Sequence, residues 1–323
     1  MSSELLTPNF WSINQLFKYR FAVPVYQRPY SWKLTEVNSM LTDIFESYKE
    51  FKALSDEDKQ KASLYVGNII LHKKAFELYD IIDGQQRITT FSIFLLAIYT
   101  KLFELNVDPN NRILIKIQSA LWKLDMNEKP VQDKRVIELG SIDKQIMLDV
   151  FNEAYSQPLN LRNFINNYSI KSPFEENVRT NFNRAYDFSN EQFINSNNEI
   201  DDLLQFANFI LNKVHLIAII NEDSEFKTFS IFESINSKGK RLEDIDLIKT
   251  KIFSSLSPDD YSSYLSKWGK LIIDTCDNLY DFLKVYIKAN IKYYTGNVTY
   301  HNFEGMDREL CSHFGKENIG DAY

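Results

Sequence analysis

The fold is decided by one stretch of the chain, Glu77-Leu-Tyr-Asp-Ile-Ile-Asp-Gly-Gln-Gln-Arg-Ile-Thr-Thr90. Its first part, up to Ile82, is rich in apolar and β-branched residues and predicts a strand. The dipeptide Asp83-Gly84 predicts a tight turn. Apolar residues then recur at helical spacing: Ile88, Phe91, Leu95, Ile98 and Leu102. The stretch therefore predicts a strand, a glycine turn and a long helix with an apolar face.

The turn between this strand and this helix has the features of an anion site. The first N–H groups of a helix have no partner within the helix, and the helix dipole adds partial positive charge. A phosphate is the natural ligand there, and Arg87 can donate two parallel hydrogen bonds to it. Gln85 and Gln86 can donate amide hydrogens, and Thr89 and Thr90 place hydroxyl groups in the first turn.

Asp83 carries the side chain of this turn that could hold a divalent ion or orient a water molecule. A simpler interpretation is an Asp-Gly turn with a threonine that caps the helix. The spacing alone does not separate the two interpretations.

The rest of the chain predicts an α/β core built from two separate stretches. Strands are predicted at 21–26, 64–71, 77–82 and 214–220, and a short one at 135–139. Because one strand cannot form a sheet, the strand at 214–220 should join the first sheet. We divide the chain into a first core part (1–110), a helical insertion (111–212), a second core part (213–255) and a helical extension (256–323).

The charge is distributed unevenly along the chain. The 37 Lys and Arg against 44 Asp and Glu give a net charge of −7, which argues against a protein that coats nucleic acid. The segment from Phe10 to Lys33, however, has no acidic residue and mixes basic side chains with eight aromatic ones. Such a mixture suits a nucleotide or an extruded base, although the aromatic residues could equally form part of the core.

Nothing in the sequence indicates a membrane protein. The longest apolar run, Ile93 to Tyr99, is too short to span a bilayer, and the N-terminus has no signal-peptide pattern. Cys276 and Cys311 form no CxxC pair, so neither a disulfide framework nor a structural metal is indicated. We expect a cytoplasmic protein.

The nine residues from Ile82 to Thr90 resemble the signature of the N-terminal domain of GmrSD-type, modification-dependent restriction systems, within the ParB/sulfiredoxin-like nucleotide-binding group. Three further strings agree with this family in order and spacing: Val25–Trp32, Tyr65–Ile70, and Phe232–Leu242 followed by Asp246–Lys249. The resemblance implies an α+β fold, with a small mixed-sheet ParB/sulfiredoxin-like core, a large helical insertion and a helical C-terminal extension.

The resemblance also implies a function, that of an NTPase sensor module in an anti-phage, modification-dependent restriction system. Carried over by position, the catalytic residues are Asp83, Gln86 and Arg87, with Asp83 also a metal ligand. The implied nucleotide-binding residues are Gly84, Gln85, Thr89, Thr90, Asn236, Asp246 and Lys249. Recognition of DNA or its modification is assigned to Tyr26, Gln27, Arg28 and Trp32. Mg²⁺ is the expected cofactor, because phosphate charge at the reacting centre needs a cation.

The sequence departs from the family where a nuclease would be needed. Its histidines, His72, His215, His301 and His313, lack the context of an HNH site. The implied partners are therefore a nucleoside triphosphate, modified DNA and an HNH-type nuclease domain or subunit, with no membrane. A homodimer is left open.

Two other functions remain as alternatives to the NTPase. One is an adapter that binds nucleotide without hydrolysis and holds a nuclease. The other is a DNA-binding protein whose pocket accepts the phosphodiester. Several residues also have simple structural interpretations: Trp32 as a core anchor, Asn236 as a helix terminator, and Asp246 with Lys249 as a surface ion pair.

Overall fold

A computed structural model describes residues 8–24, 29–126, 130–138, 144–194 and 198–222, with five single positions between 267 and 285. The chain divides into two compact units, and the first comprises 1–23, 29–139 and 143–232. All elements given below lie in this first unit. The second core part beyond residue 222 and the predicted helical extension lie outside the continuous described ranges.

The elements follow one another in this order. The first are β1 (Pro8–Ser12), α1 (Ile13–Leu16), β2 (Arg20–Ala22), α2 (Leu34–Ala53), α3 (Asp56–Lys61), β3 (Leu64–Ala75), β4 (Leu78–Asp83), α4 (Gln85–Glu104) and α5 (Arg112–Leu121). There follow β5 (Trp122–Leu124), β6 (Pro130–Arg135), β7 (Ile137–Glu138), α6 (Lys144–Ser156), a 3₁₀ turn (Pro158–Asn160), α7 (Leu161–Asn166), α8 (Pro173–Phe193), α9 (Glu199–Lys213) and β8 (Val214–Asn221).

Six strands form one mixed sheet in the order β1-β8-β3-β4-β2-β7. Strand β8 pairs parallel with β3 and antiparallel with β1. Strand β4 pairs antiparallel with β3 and parallel with β2. The expectation that the strand near 214–220 joins the first sheet is therefore confirmed, as is the α+β fold with a small mixed sheet.

The edges of the sheet differ from the prediction. Strand β1 at one edge was not predicted, and it is held by pairing with β8. At the other edge β7, which lies in the stretch assigned to the helical insertion, pairs with β2. The turn between β3 and β4 lies at Phe76-Glu77, because β3 continues beyond the predicted strand end at 71, and Glu77 adopts a left-handed φ of 58° there.

Helix α4 runs through the core. Sixteen of its twenty residues are buried, so it lacks the solvated face of a surface helix. Its buried hydroxyl groups donate to carbonyl groups one turn earlier, as Ser92 does to Ile88 O and Thr100 to Leu96 O. Hydrogen bonding of this kind allows polar residues to be buried at little cost. No helix within the described ranges is both long enough and apolar enough to cross a membrane.

Candidate functional site

The strand-to-helix turn predicted at Asp83-Gly84 is present. Strand β4 ends at Asp83, and Gly84 is the N-cap of α4 with a φ of 92°, a conformation that favours glycine. The N-cap provides no side-chain acceptor, and the first turn of α4 contains no acidic residue. The first helical bond joins Ile88 N to Gly84 O at 3.1 Å. The earlier N–H groups therefore have no acceptor within the helix, which is the condition for anion binding.

Two glycines let this turn and Arg87 lie close to strand β3. A Cβ added to Gly84 would overlap the Ile69 side chain, and one added to Gly67 would lie 2.9 Å from Arg87 Nε. Arg87 Nη1 donates to Asn68 O at 2.9 Å. The guanidinium group is thus held against the backbone of β3 and remains half-buried. Within the described part of the chain it forms no ion pair.

Gln86 makes contacts that its sequence position did not reveal. Its Oε1 accepts hydrogen bonds from Ser31 N at 2.8 Å and Trp32 N at 3.2 Å, and its Nε2 donates to Pro29 O at 3.1 Å. The side chain is buried, with 8% exposed. Gln86 therefore fixes residues 29–32 against α4. Its assignment as a catalytic residue stays a prediction.

The two threonines predicted to bind nucleotide are completely buried. Thr90 donates to Gln86 O at 2.8 Å, and its oxygen lies 2.8 Å from the Tyr30 hydroxyl group. Thr89 Oγ1 has no hydrogen-bond partner among the described residues. Thr90 thus contributes to the attachment of residues 29–32, and the nucleotide-binding role of both threonines stays a prediction.

Asp83 and Gln85 complete the predicted set in this turn. Asp83 is half-buried and pairs in register with Ile70 of β3, and Gln85 is 4% exposed. Across the described ranges, no three His, Cys, Asp or Glu side chains come close enough together to hold a metal ion. A magnesium ion bound mainly by phosphate oxygens and water needs only one or two carboxylates, and the role of Asp83 as its ligand stays a prediction.

A groove of about 940 Å³ lies between α2 and β3, and we call it the α2–β3 groove. Arg87, Gly67 and Trp32 line it. Apolar lining comes from Met40, Leu64 and Val66 with the Tyr65 ring, and α2 adds the carboxylates of Glu36, Asp43, Glu46 and Glu50. Its volume is within the range of small-molecule sites, roughly 300–1,000 Å³. Arg87 and Trp32, predicted separately from the sequence, thus line one groove.

Three of the four family motifs meet at this site. Pro29–Trp32 of the first motif is bound by Gln86, and Gly67-Asn68 of the second contacts Arg87. Tyr26, Gln27 and Arg28 lie outside the described residues. So do the predicted nucleotide-binding residues Asn236, Asp246 and Lys249.

One residue at the site was missed in the sequence. Asn181 of α8 is completely buried and donates through Nδ2 to Trp32 O at 2.7 Å. It comes from the predicted helical insertion, 149 residues away from Trp32. No local pattern connects two positions so far apart, and the sequence therefore contains no signal for this contact.

Comparison with known proteins agrees with these motifs. The chain matches the family model described as GmrSD restriction endonuclease, N-terminal domain, over residues 13–253. This match spans 241 of the 323 residues and includes every described element except β1. No curated protein matches the chain. The chain therefore belongs to the family of GmrSD restriction endonuclease N-terminal domains.

Proposed function

We propose that this protein binds a nucleoside triphosphate at the first turn of α4, hydrolyses it, and thereby controls a nuclease that acts on modified foreign DNA. Family membership makes the chain a module of a restriction system and implies a nuclease partner domain. Nucleotide binding, hydrolysis and recognition of modified DNA are the parts that we propose.

The observation that carries the proposal is the position of Arg87. Its guanidinium group lines the α2–β3 groove and follows directly on the uncapped start of α4. Asn68 O accepts one of the five N–H groups that an arginine offers, which leaves others for phosphate oxygens. A fixed cation at the N-terminal end of a helix is the arrangement that binds phosphate in many nucleotide sites.

The remaining residues of the turn have roles consistent with phosphate chemistry. Gly84 permits the left-handed turn and the close packing on Ile69, and the N–H groups of Gln85 and Gln86 belong to the helix end that attracts an anion. Asp83 would hold Mg²⁺ together with the phosphates, and a bound magnesium ion would neutralise charge on the transferred phosphoryl group.

Trp32 provides a surface for an aromatic base. Trp32 packs in part against the hydrophobic core and lines the same groove as Arg87, so we propose that one ligand contacts both residues. Stacking of a base on an aromatic side chain contributes about 1–3 kcal/mol. We therefore assign Trp32 to the base of the nucleotide, or to a base extruded from modified DNA.

A second candidate function is a nucleotide-gated adapter that does not hydrolyse its ligand. One observation favours it: the side-chain amide oxygen and nitrogen of Gln86 both form hydrogen bonds with the backbone of residues 29–32. One predicted catalytic group therefore has a structural role. In this case nucleotide binding alone would control the partner nuclease.

The experiment compares Arg87→Ala and Asp83→Ala with the wild type and with Arg179→Ala as a control. Arg179 is an arginine of α8 that pairs with Glu176 and does not line the groove. Calorimetry measures the affinity for each nucleoside triphosphate with magnesium, and phosphate release is followed with and without DNA. We expect Arg87→Ala to weaken binding by at least about tenfold, since a charge-assisted hydrogen bond contributes about 1.5–3 kcal/mol.

The results separate the two candidate functions. Binding with phosphate release supports the NTPase, and binding without release supports the adapter. If Arg87→Ala and Asp83→Ala both keep the affinity and the turnover of the wild type, the assignment of this site is wrong.

A further inference from the structure

Residues 30–32 are held from two sides by two different helices. Gln86 of α4 binds the N–H groups of Ser31 and Trp32. From the other side, Asn181 of α8 donates to Trp32 O at 2.7 Å and to the Tyr30 hydroxyl group at 3.1 Å. The backbone of Trp32 is therefore fixed at both its N–H and its C=O group.

The contacts of Asn181 are buried, and its Oδ1 has no hydrogen-bond partner among the described residues. Asn181 and Tyr30 are completely buried, and the Tyr30 hydroxyl group continues the chain of hydrogen bonds to Thr90 on α4 at 2.8 Å. Both N–H groups of the Asn181 amide are used. Removing them would leave the Trp32 carbonyl group without this donor, and buried polar groups without partners are unfavourable.

We infer that Asn181 is a positioning residue of the nucleotide site, and that through it the helical region at 144–213 controls the Trp32 wall of the α2–β3 groove. The inference rests on the proposed function. Asn181 contacts the backbone of Trp32, while the ring of Trp32 lines the groove together with Arg87. A change in α8 that withdraws Asn181 would therefore release the stacking surface without touching Arg87.

This role predicts a kinetic effect that a loss of stability does not produce. Trp32 would contact the base equally in the ground state and in the transition state, so loosening it removes uniform binding and raises KM while kcat is kept. A variant that is only less stable has fewer folded molecules, and its apparent kcat falls while KM is unchanged.

The test compares Asn181→Ala with Asn183→Ala, a matched control on the same helix. Asn183 Nδ2 donates to Asn166 Oδ1 at 2.7 Å, an exposed contact outside the Tyr30–Trp32 segment. Two measurements are made on the full chain: amide hydrogen exchange of the peptide covering 29–34, and KM and kcat for the nucleoside triphosphate that the wild type turns over, or its Kd if there is no turnover.

We expect Asn181→Ala to exchange the Ser31 and Trp32 amides faster and to raise KM or Kd between about fivefold and a hundredfold, the range of one lost base-stacking contact. Asn183→Ala should change neither. Should Asn181→Ala fail to fold, Tyr30→Phe carries the test, because it removes the hydroxyl link between Asn181 and Thr90 and keeps the ring.

The possible failures are distinguishable. Suppose that the wild type binds nucleotide and that the Asn181 or Tyr30 variant has the same amide hydrogen exchange or the same nucleotide affinity. The role of Asn181 is then overturned, while the proposed function stands. If kcat falls and KM is unchanged, Asn181 serves stability alone and the inference is again overturned. If the wild type binds no nucleotide, the proposed function fails and the role assigned to Asn181 fails with it.

Discussion

Replacing Gln86 by leucine should destabilise the protein, because three hydrogen bonds to the backbone of residues 29–32 disappear together. The N–H groups of Ser31 and Trp32 and the carbonyl group of Pro29 lose their partner inside the protein. An unsatisfied buried polar group costs about 1–3 kcal/mol. Pro29 is buried, whereas Ser31 and Trp32 are half-buried and can regain water in part. We therefore expect a loss of roughly 3–4 kcal/mol in the free energy of unfolding.

The measurement is urea-induced unfolding of wild type, Gln86→Leu and Gln86→Glu, with Gln118→Leu as the control. Glutamate keeps the acceptor for Ser31 and Trp32, and when protonated it can donate its O–H to Pro29 O. Compared at about pH 4, where the carboxyl group is largely protonated, Gln86→Glu should therefore lose clearly less than Gln86→Leu. Gln118 also has an intramolecular partner, the Tyr99 hydroxyl group, but only at 3.4 Å. Its replacement should cost less than about 1 kcal/mol.

The outcome also decides which role Gln86 has. If Gln86→Leu unfolds within about 0.5 kcal/mol of the wild type and yet loses nucleotide turnover, the structural explanation is wrong and the catalytic assignment is favoured. If stability falls as expected and Gln86→Glu recovers part of it, the main task of Gln86 is to hold residues 29–32.

Two further predictions concern Arg87 and Tyr48. Gly67 has a φ of 122°, and a Cβ at this position would lie 2.9 Å from Arg87 Nε. Gly67→Ala should therefore displace the guanidinium group and weaken nucleotide binding about tenfold in calorimetry. An unchanged Kd would contradict this. Burial, with a smaller contribution from Asp202, raises the pKa of Tyr48 from 10.0 to about 12. The folded state therefore holds the Tyr48 proton more tightly than the unfolded chain does. The contribution of this proton to the free energy of unfolding is fully present below pH 10 and should fall by up to about 2–3 kcal/mol as the pH rises to 12. The difference between wild type and Tyr48→Phe in unfolding measured across this range isolates the effect, and two parallel curves would refute it.

The elements that could be predicted from the sequence are those with long or distinctive local patterns. The strand, glycine turn and helix at 77–104 have strong apolar periodicity, and Gly84 occupies the left-handed position that a tight turn requires. The edge strands β1 and β7 have only five and two residues. The short strand predicted at 135–139 is present as β7, whereas β1 was not predicted. The partners of these strands, β2 and β8, depend on tertiary structure that no short window contains.

The residues of the site show the same difference between what local sequence indicates and what the tertiary structure determines. Arg87 was assigned to phosphate from its residue type and its position at the helix start, and Trp32 was assigned to DNA or base recognition from the family resemblance; both assignments stay predictions. The sequence also placed Gln86 at the start of the helix, but its hydrogen-bond partners lie 54 to 57 positions away along the chain. The partners of Asn181 lie 149 and 151 positions away. Local sequence shows which groups a residue can donate or accept, while the fold determines the partner it finds.

The charge of the α2–β3 groove favours a nucleotide over a DNA backbone as the ligand of Arg87. Among the described residues that line it, Arg87 is the one cation, whereas α2 contributes the carboxylates of Glu36, Asp43, Glu46 and Glu50. A duplex carries one negative charge about every 1.7 Å, so a strand lying along α2 would be repelled over the whole wall. A triphosphate is compact, and with bound magnesium it can present its charge to Arg87 and the start of α4 alone. The acidic wall, in which Glu46 is paired with Lys49, thus disfavours a DNA backbone lying along α2.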